Sequence, residues 1–343
     1  MVEPIRLTQF SKGGGCGCKI APGVLEKILR TDLKKGFPGL LVGNESSDDA
    51  AVFDLGNGEA LISTTDFFTP ILDDPYDFGR IAAANSISDV YAMGGKPMMA
   101  VAILGWPVEK IDPVHAQKVL EGARSICSEA GIPIAGGHSI DSAEPIFGLA
   151  VTGIVKKEFI KKNNSCKQGD LLFLTKPLGT GILASALKRG ILVPGDAEKL
   201  VSVMAQLNKA GEAYGKKEFV HAMTDITGFG LAGHLVEMLS GSDLTATIRM
   251  KDIPKIGGVD HYISKMIFPD NTTRIYNDVK EKVNGMDGLE FILLCDPQTS
   301  GGLLVSVDPA CEKEFLECSA KFGLHLTSFG EIGAKSDKLI EIR

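Results

Sequence analysis

The sequence predicts an α+β fold (α/β in its layering) of two domains behind a flexible glycine-rich arm. Three observations carry that prediction. The chain has 343 residues, long enough for two domains of ordinary size. Strand-like and helix-like segments alternate along it, without the steady β-α-β rhythm of a doubly wound parallel sheet. A charged stretch at 156–170, "KKEFIKKNNSCKQGD", separates two apolar, patterned halves. The boundaries that follow are a mobile arm over 1–20, an N-terminal domain over 21–156 and a C-terminal domain over 157–343, with the charged stretch read as a solvated connector.

The elements are argued in chain order. "KGGGCGCKI" (12–20) has almost no backbone preference, because glycine visits positive φ freely and loses the most entropy on ordering. "APGVLEKILRTDL" (21–33) has helical spacing at Val24, Leu25, Ile28 and Leu29, with Pro22 near its start. Residues 40–68 read as strand, loop, strand, turn, strand, and Gly-Asn-Gly at 56–58 marks a hairpin. "FGRIAAANSISDVYAMGG" (78–95) reads as a helix ending at a Gly-Gly cap. "KPMMAVAILGW" (96–106) reads as a buried strand. "DPVHAQKVLEGARSICSEAG" (112–131) is a helix with Asp112 as N-cap, Pro113 at N1 and Gly131 past its end. A loop at 133–141 and a strand at 145–155 close the first half. In the second half, 170–190 reads as strand, turn, helix; 219–242 as a loop then an apolar helix; 291–308 as strand, loop, strand.

Composition narrows the function classes. Lys and Arg number 36 against 43 Asp and Glu, a net charge of −7. No basic stripe of the kind that binds nucleic acid is present. There is no signal peptide and no apolar run long enough to cross a bilayer. Seven cysteines, of which only Cys16 and Cys18 are close neighbours, fit free thiols in a reducing, cytoplasmic setting.

Several residues could carry chemistry. Asp48, Asp49, Asp66, Asp89 and Asp225 are aspartates near strand or helix ends. Each alone could cap a helix or start a turn, and Asp225 could be an N-cap. Asp89 is harder to explain that way, since it lies in an apolar helical segment with Asn85 one turn earlier. If these carboxylates converged they would make a hard oxygen site suited to Mg²⁺ shared with phosphates. "AGGHS" (135–139), with Gly137, His138 and Ser139, is either a phosphate or ribose cradle or an ordinary tight turn. Lys19 lies three residues after Cys16, where it could lower a thiol pKa or balance charge on a transferring phosphoryl group. Neither a Walker A loop nor a G-x-G-x-x-G fingerprint is present.

Together, "GGGCGCK", "DDAAV", "STTDFF", "NSISDVYAMGGKP", "AGGHSID", "TDITGFGL" and "CDPQTSGGLL" resemble the selenophosphate synthetases, or selenide, water dikinases. The resemblance runs from about Ile5 to the terminal "EIR". "DPQTSGGLL" is less specific and is shared with the wider aminoimidazole ribonucleotide synthetase-like superfamily, while "GCGCK" followed by "DDAAV" narrows it. The resemblance implies that selenide, ATP and water give selenophosphate, AMP and orthophosphate, supplying activated selenium for selenoproteins and selenonucleosides. It implies Cys16 and Lys19 as catalytic residues, position 16 being selenocysteine in some members. Asp49, Asp89 and Asp225 would be Mg²⁺ ligands. Lys19, Ser46, Ser47, Asp48, Asp66, Asp89, Gly137, His138 and Ser139 would contact ATP. A homodimer and a potassium requirement are similarly implied, and a selenium-delivery protein is a candidate partner. The arm is expected to close over ATP and exclude water until selenide is in place. Two alternatives compete: another ATP-using superfamily member, which leaves "GCGCK" idle, and a thiol-based selenium carrier or redox sensor, which leaves the carboxylates idle.

Overall fold

The computed structural model describes residues 5–11, 13–19, 24, 27, 28, 30, 36–43 and 48–343, with only the backbone of Cys16 and Cys18. Two sheets organise it. The first has six strands in the order β1-β2-β3-β6-β4-β5: β1 Leu40–Val42, β2 Ala51–Asp54, β3 Glu59–Phe68, β4 Lys96–Trp106, β5 Ile134–Asp141 and β6 Ile146–Lys156. The second has seven in the order β10-β13-β9-β12-β7-β11-β8. Its strands are β7 Leu171–Leu174, β8 Val220–Asp225, β9 Leu244–Ile248, β10 Val283–Asn284, β11 Leu303–Val307, β12 Gly330–Ala334 and β13 Ile340–Ile342. Both sheets mix parallel and antiparallel pairs. No helix among the described residues is long and apolar enough to cross a membrane.

The helix Pro75–Ala92 joins the halves. Asp74 caps it by accepting from Asp77 N at 2.9 Å. Fifteen of its 18 residues are buried, which explains why no single apolar stripe marks it in the sequence. One side lies on β3 and β6, the other against the second half of the chain. It also crosses the helix Pro113–Ala130 at backbone distance. A Cβ on Gly79 would stand 1.8 Å from Val119 O, and one on Gly122 1.9 Å from Tyr76 O. The second helix begins and ends where local chemistry dictates: Asp112 accepts from Val114 N, Pro113 is at N1 and Gly131 takes φ 75°.

Among the described residues, nothing covers one face of the first sheet. Along β3, Ala60, Ile62 and Phe68 point toward the helices and are buried, while the alternating residues point away. Phe53, Leu61, Phe67, Met99 and Val101 lie on that outer face, each 36–52% exposed. β4 is therefore buried on one face only, not throughout.

Four other expectations are corrected. Residues 134–141 are an exposed edge strand instead of a loop. Residues 220–225 are strand β8, and the following helix starts at Gly230 with Phe229 at its N-cap position, so Asp225 does not cap it. Residues 290–294 form a turn of helix instead of a strand. The charged connector is not simply solvated: Lys161 and Asn163 are buried, and Lys161 Nζ donates to Lys217 O at 2.8 Å. Most of the helix expected over 21–33 lies outside the described residues; Val24, Lys27 and Ile28 are helical.

Candidate active site

The glycine-rich arm is docked. Leu7 is fully buried in the main core. The Thr8 amide and hydroxyl both donate to Asp73 Oδ1, and Arg6 pairs with the same carboxylate. Lys188 Nζ donates to the carbonyls of Ser11 and Gly13 at 3.3 Å. Gly15 N donates to Thr69 O at 3.0 Å. Gly15 has φ 56°, and a Cβ there would lie 2.3 Å from Thr299 Oγ1, so glycine is required on both counts. A short 3-10 turn follows at Gly15–Cys18. It places the Lys19 ammonium 3.4 Å from Asp66 Oδ1.

Asp66 is held from two sides. Asn85 Nδ2 donates to its Oδ2 at 2.7 Å, and Ser86 Oγ donates to its carbonyl at 2.8 Å. Asn85 also accepts from Ser300 N at 2.8 Å. One buried amide thus ties the first sheet to the 296–302 loop of the other half. Asn85 shares a helix face with Asp89, the one signal in the sequence that pointed to it.

Asp49, Asp89 and Asp225 come together from three different elements: the loop before β2, the helix Pro75–Ala92 and the end of β8. Thr224 Oγ1 donates to Asp49 Oδ1 at 2.7 Å, and Thr64 Oγ1 to Asp89 Oδ2 at 2.5 Å. Burial, and then the charge of Asp225, hold Asp49 well above the usual carboxylate range. Burial does the same to Asp89, reinforced by Asp225, Asp66 and Asp49. Asp225 is raised by burial too, with Ser88, His234 and Lys19 pulling the other way. Asp49 Oδ2 and Asp225 Oδ2 are buried with no hydrogen-bond partner among the described residues.

Buried, mutually repelling carboxylates with unused oxygens are a costly arrangement for a protein alone. They fit divalent cations. Among the described residues no three such side chains close a metal cage by themselves. Mg²⁺ keeps several waters and takes one or two carboxylates plus substrate phosphates, so it needs no such cage.

The remaining candidates are scattered. Asp48 Oδ1 accepts from Asn163 N at 2.9 Å, linking its loop to the connector. Ser46 and Ser47 lie outside the described residues. Gly137, His138 and Ser139 sit on edge strand β5. Asp66 is in register with Leu149, Leu149 with Ala102 and Ala102 with Gly137. Three strand spacings put Gly137 about 14 Å from Asp66. Gly137 and Ser139 share Asp66's face of the sheet, and His138 lies on the uncovered face. Cys127, Cys166, Cys295, Cys311 and Cys318 are free thiols.

"DPQTSGG" does structural work that the sequence did not reveal. Gln298 Oε1 accepts from the Gly179 amide and from the Thr180 amide and hydroxyl. Asp296 Oδ2 accepts from Gly181 N at 3.1 Å and Gln298 Nε2 at 2.7 Å. The motif therefore caps the helix Thr180–Lys188 from outside and forms the floor beneath the arm.

Similarity to known proteins agrees with this arrangement. Residues 47–155 match the AIR synthase related protein N-terminal domain, and residues 167–342 its C-terminal domain. The chain is 53% identical over 344 residues to a selenide, water dikinase of Aeromonas hydrophila, covering 99% of both proteins. It is 52% identical over 343 residues to that of Pseudomonas putida, covering both completely. The chain belongs to the selenide, water dikinase family. Solved structures place this dikinase in a broader fold group. A thiamine-monophosphate kinase from Stenotrophomonas maltophilia superposes with TM-score 0.65 at 18% identity, covering 93% of each chain. The hydrogenase maturation protein HypE, solved with ATP, gives 0.63 at 17%, covering 96% of this dikinase and 90% of that chain. At such identities they speak for the fold alone.

Proposed function

We propose that this chain synthesises selenophosphate from selenide, ATP and water, releasing AMP and orthophosphate, at the cleft where the arm meets the aspartates. The observation that supports this best is Lys19, brought by the docked arm to Asp66 beside a buried acidic cluster, in a chain more than half identical to selenide, water dikinases along its whole length. Two phosphoanhydride bonds are cleaved in the overall reaction; one phosphoryl group leaves on selenium and one as orthophosphate.

In this reading Asp49, Asp89 and Asp225 would hold Mg²⁺, which when bound supplies charge neutralisation for the triphosphate. Asp66 orients the Lys19 ammonium, and Lys19 steadies charge developing on the transferring phosphoryl group. Cys16, three residues earlier, would hold the selenide beside it without a covalent bond, so that selenium attacks the phosphoryl group with no change of oxidation state. The docked arm excludes water, so that phosphoryl transfer goes to selenium first. Ser46 to Asp48 line the phosphates, and Gly137 to Ser139 the nucleoside end. A potassium ion is a further expected requirement, and a cytoplasmic location fits the free thiols.

We also propose a homodimer. An uncovered sheet face carrying Phe53, Leu61, Phe67, Met99 and Val101 is an interface in search of a partner. A second copy related by a two-fold axis would cover it with the same surface.

Phosphorus NMR with ATP, Mg²⁺ and anaerobic selenide tests the reaction. A new phosphorus signal that requires selenide, appearing with AMP and orthophosphate, is expected. ADP as the sole nucleotide product would return the chain to the ordinary kinases of its fold group.

A further inference from the structure

One buried amine has no part in the chemistry above. Lys176, just after β7, is 2% exposed. Its Nζ donates to two main-chain oxygens, Gln206 O and Ser300 O, each at 2.7 Å. A lysine is a costly way to satisfy two carbonyls, and burial pushes its amine down to about 7. What it holds explains the expense. Ser300 has φ 52°, a left-handed conformation that L-residues other than glycine adopt only under constraint. From that conformation the Ser300 amide points at Asn85 Oδ1, and Asn85 in turn grips Asp66. The neighbouring Thr299 is fixed through its own amide to Thr180 Oγ1 at 3.0 Å, and its hydroxyl packs under Gly15 of the arm. Next along, Gly302 runs so close to Lys176 that a Cβ would stand 2.3 Å from its backbone nitrogen.

We propose that Lys176 is a positioning residue: it locks Ser300 in the left-handed conformation from which this segment aims Asn85 at Asp66 and seats the arm at Gly15. The proposal rests on the reading of Lys19 and Asp66 given above. It assigns Lys176 no contact with substrate.

The test uses the full-length enzyme with Lys176→Met, alone and combined with Ser300→Gly. Glycine adopts positive φ without strain, so it removes the need for the lock. In K176M, exchange of the Gly15 amide is expected to accelerate by about tenfold or more and kcat to fall by a similar factor. Exchange in the helix Pro113–Ala130, remote from the loop, should stay unchanged. In K176M/S300G both properties should return to within about threefold of S300G alone. A merely structural lysine would give faster exchange everywhere, or a lower melting temperature with normal turnover, and no rescue by S300G; either result overturns the proposal. Should K176M fail to fold, the double variant decides. A folded, active K176M/S300G supports the link to Ser300, and one as inert as the single variant overturns it. Failure of the underlying reading has a separate signature: K19A with full turnover would remove Lys19 from the chemistry while leaving the Gly15 exchange result in place.

Discussion

Asp89 shows how a single side chain can be wrong for stability and right for function. Its carboxylate is ionised at a cost in the folded chain, because burial and three neighbouring carboxylates oppose the charge. The folded pKa lies above the unfolded one. Stability is therefore lost as pH rises from the ordinary carboxylate range through the folded value. Asp89→Asn removes that loss. The variant is expected to gain unfolding free energy at pH 7 without metal, and little at pH 4. It should also lose the rise in melting temperature that Mg²⁺ gives the parent. Thermal melts with and without Mg²⁺ check both; an unchanged response to Mg²⁺ would take Asp89 out of the metal site. Lys19→Ala makes the complementary prediction. The ammonium is partly exposed, so the fold should survive while selenophosphate formation drops by at least about 100-fold. Asp89 and Lys19 stand out in the sequence as charged groups in an apolar and a glycine-rich setting, whereas Asp49, Asp66 and Asp225 read as ordinary caps or turns and gain roles only from the family resemblance. Lys176 does not stand out, since its partners, Gln206 and Ser300, are brought to it only by the fold; Asn85 stands out only as a helix neighbour of Asp89, and its bonds to Asp66 and Ser300 come from the fold.

At the scale of elements, legibility followed locality. The helix Pro113–Ala130 was read almost to the residue, because its cap, its N1 proline and its terminal glycine all act within a few positions of the chain. "FILL" at 291–294 was misread as a strand: a short apolar run has no periodicity to separate a buried strand from a buried helical turn. Edge strand β5 looked like a loop because Gly136 and Gly137 mask it. Gly137 is there because a Cβ would meet Ala102 O at 2.3 Å, a constraint from the adjacent strand. The contact of Gly79 with Val119 O likewise comes from a neighbouring element. Gly79→Ala should force the two helices apart and cost about 1–3 kcal/mol or more, read as a shift in urea midpoint. A neutral result would mean the helices can slide.

For the whole molecule, two buried groups shape the pH dependence of folding in opposite directions. Burial raises Asp296 to about 8, so the folded chain holds that proton after the unfolded chain has released it. Its contribution falls as pH rises from the ordinary carboxylate range to about 8. Lys176, lowered to about 7 by burial, works the other way. The unfolded chain binds the extra proton between about 7 and the ordinary lysine value, so stability rises across that interval. K176M should flatten the alkaline rise and D296N the fall below it, both measurable by chemical denaturation across pH. Assembly belongs to this scale too. Phe67→Asp, on the uncovered face, is expected to yield a monomer in analytical ultracentrifugation, while a dimer that persists would move the interface elsewhere. That face escaped the sequence reading because outward Leu61 and Phe67 each sit beside an inward apolar neighbour, Ile62 and Phe68, and the polar stretch 63–66 between them hides the alternation.

The seating of Gly15 on Thr299 also orders events during synthesis. Some 280 residues separate the two positions, so at ordinary elongation rates the arm leaves the ribosome roughly 15–60 s before its seat exists. No shorter nascent chain can assemble the cleft, however well its first sheet has folded.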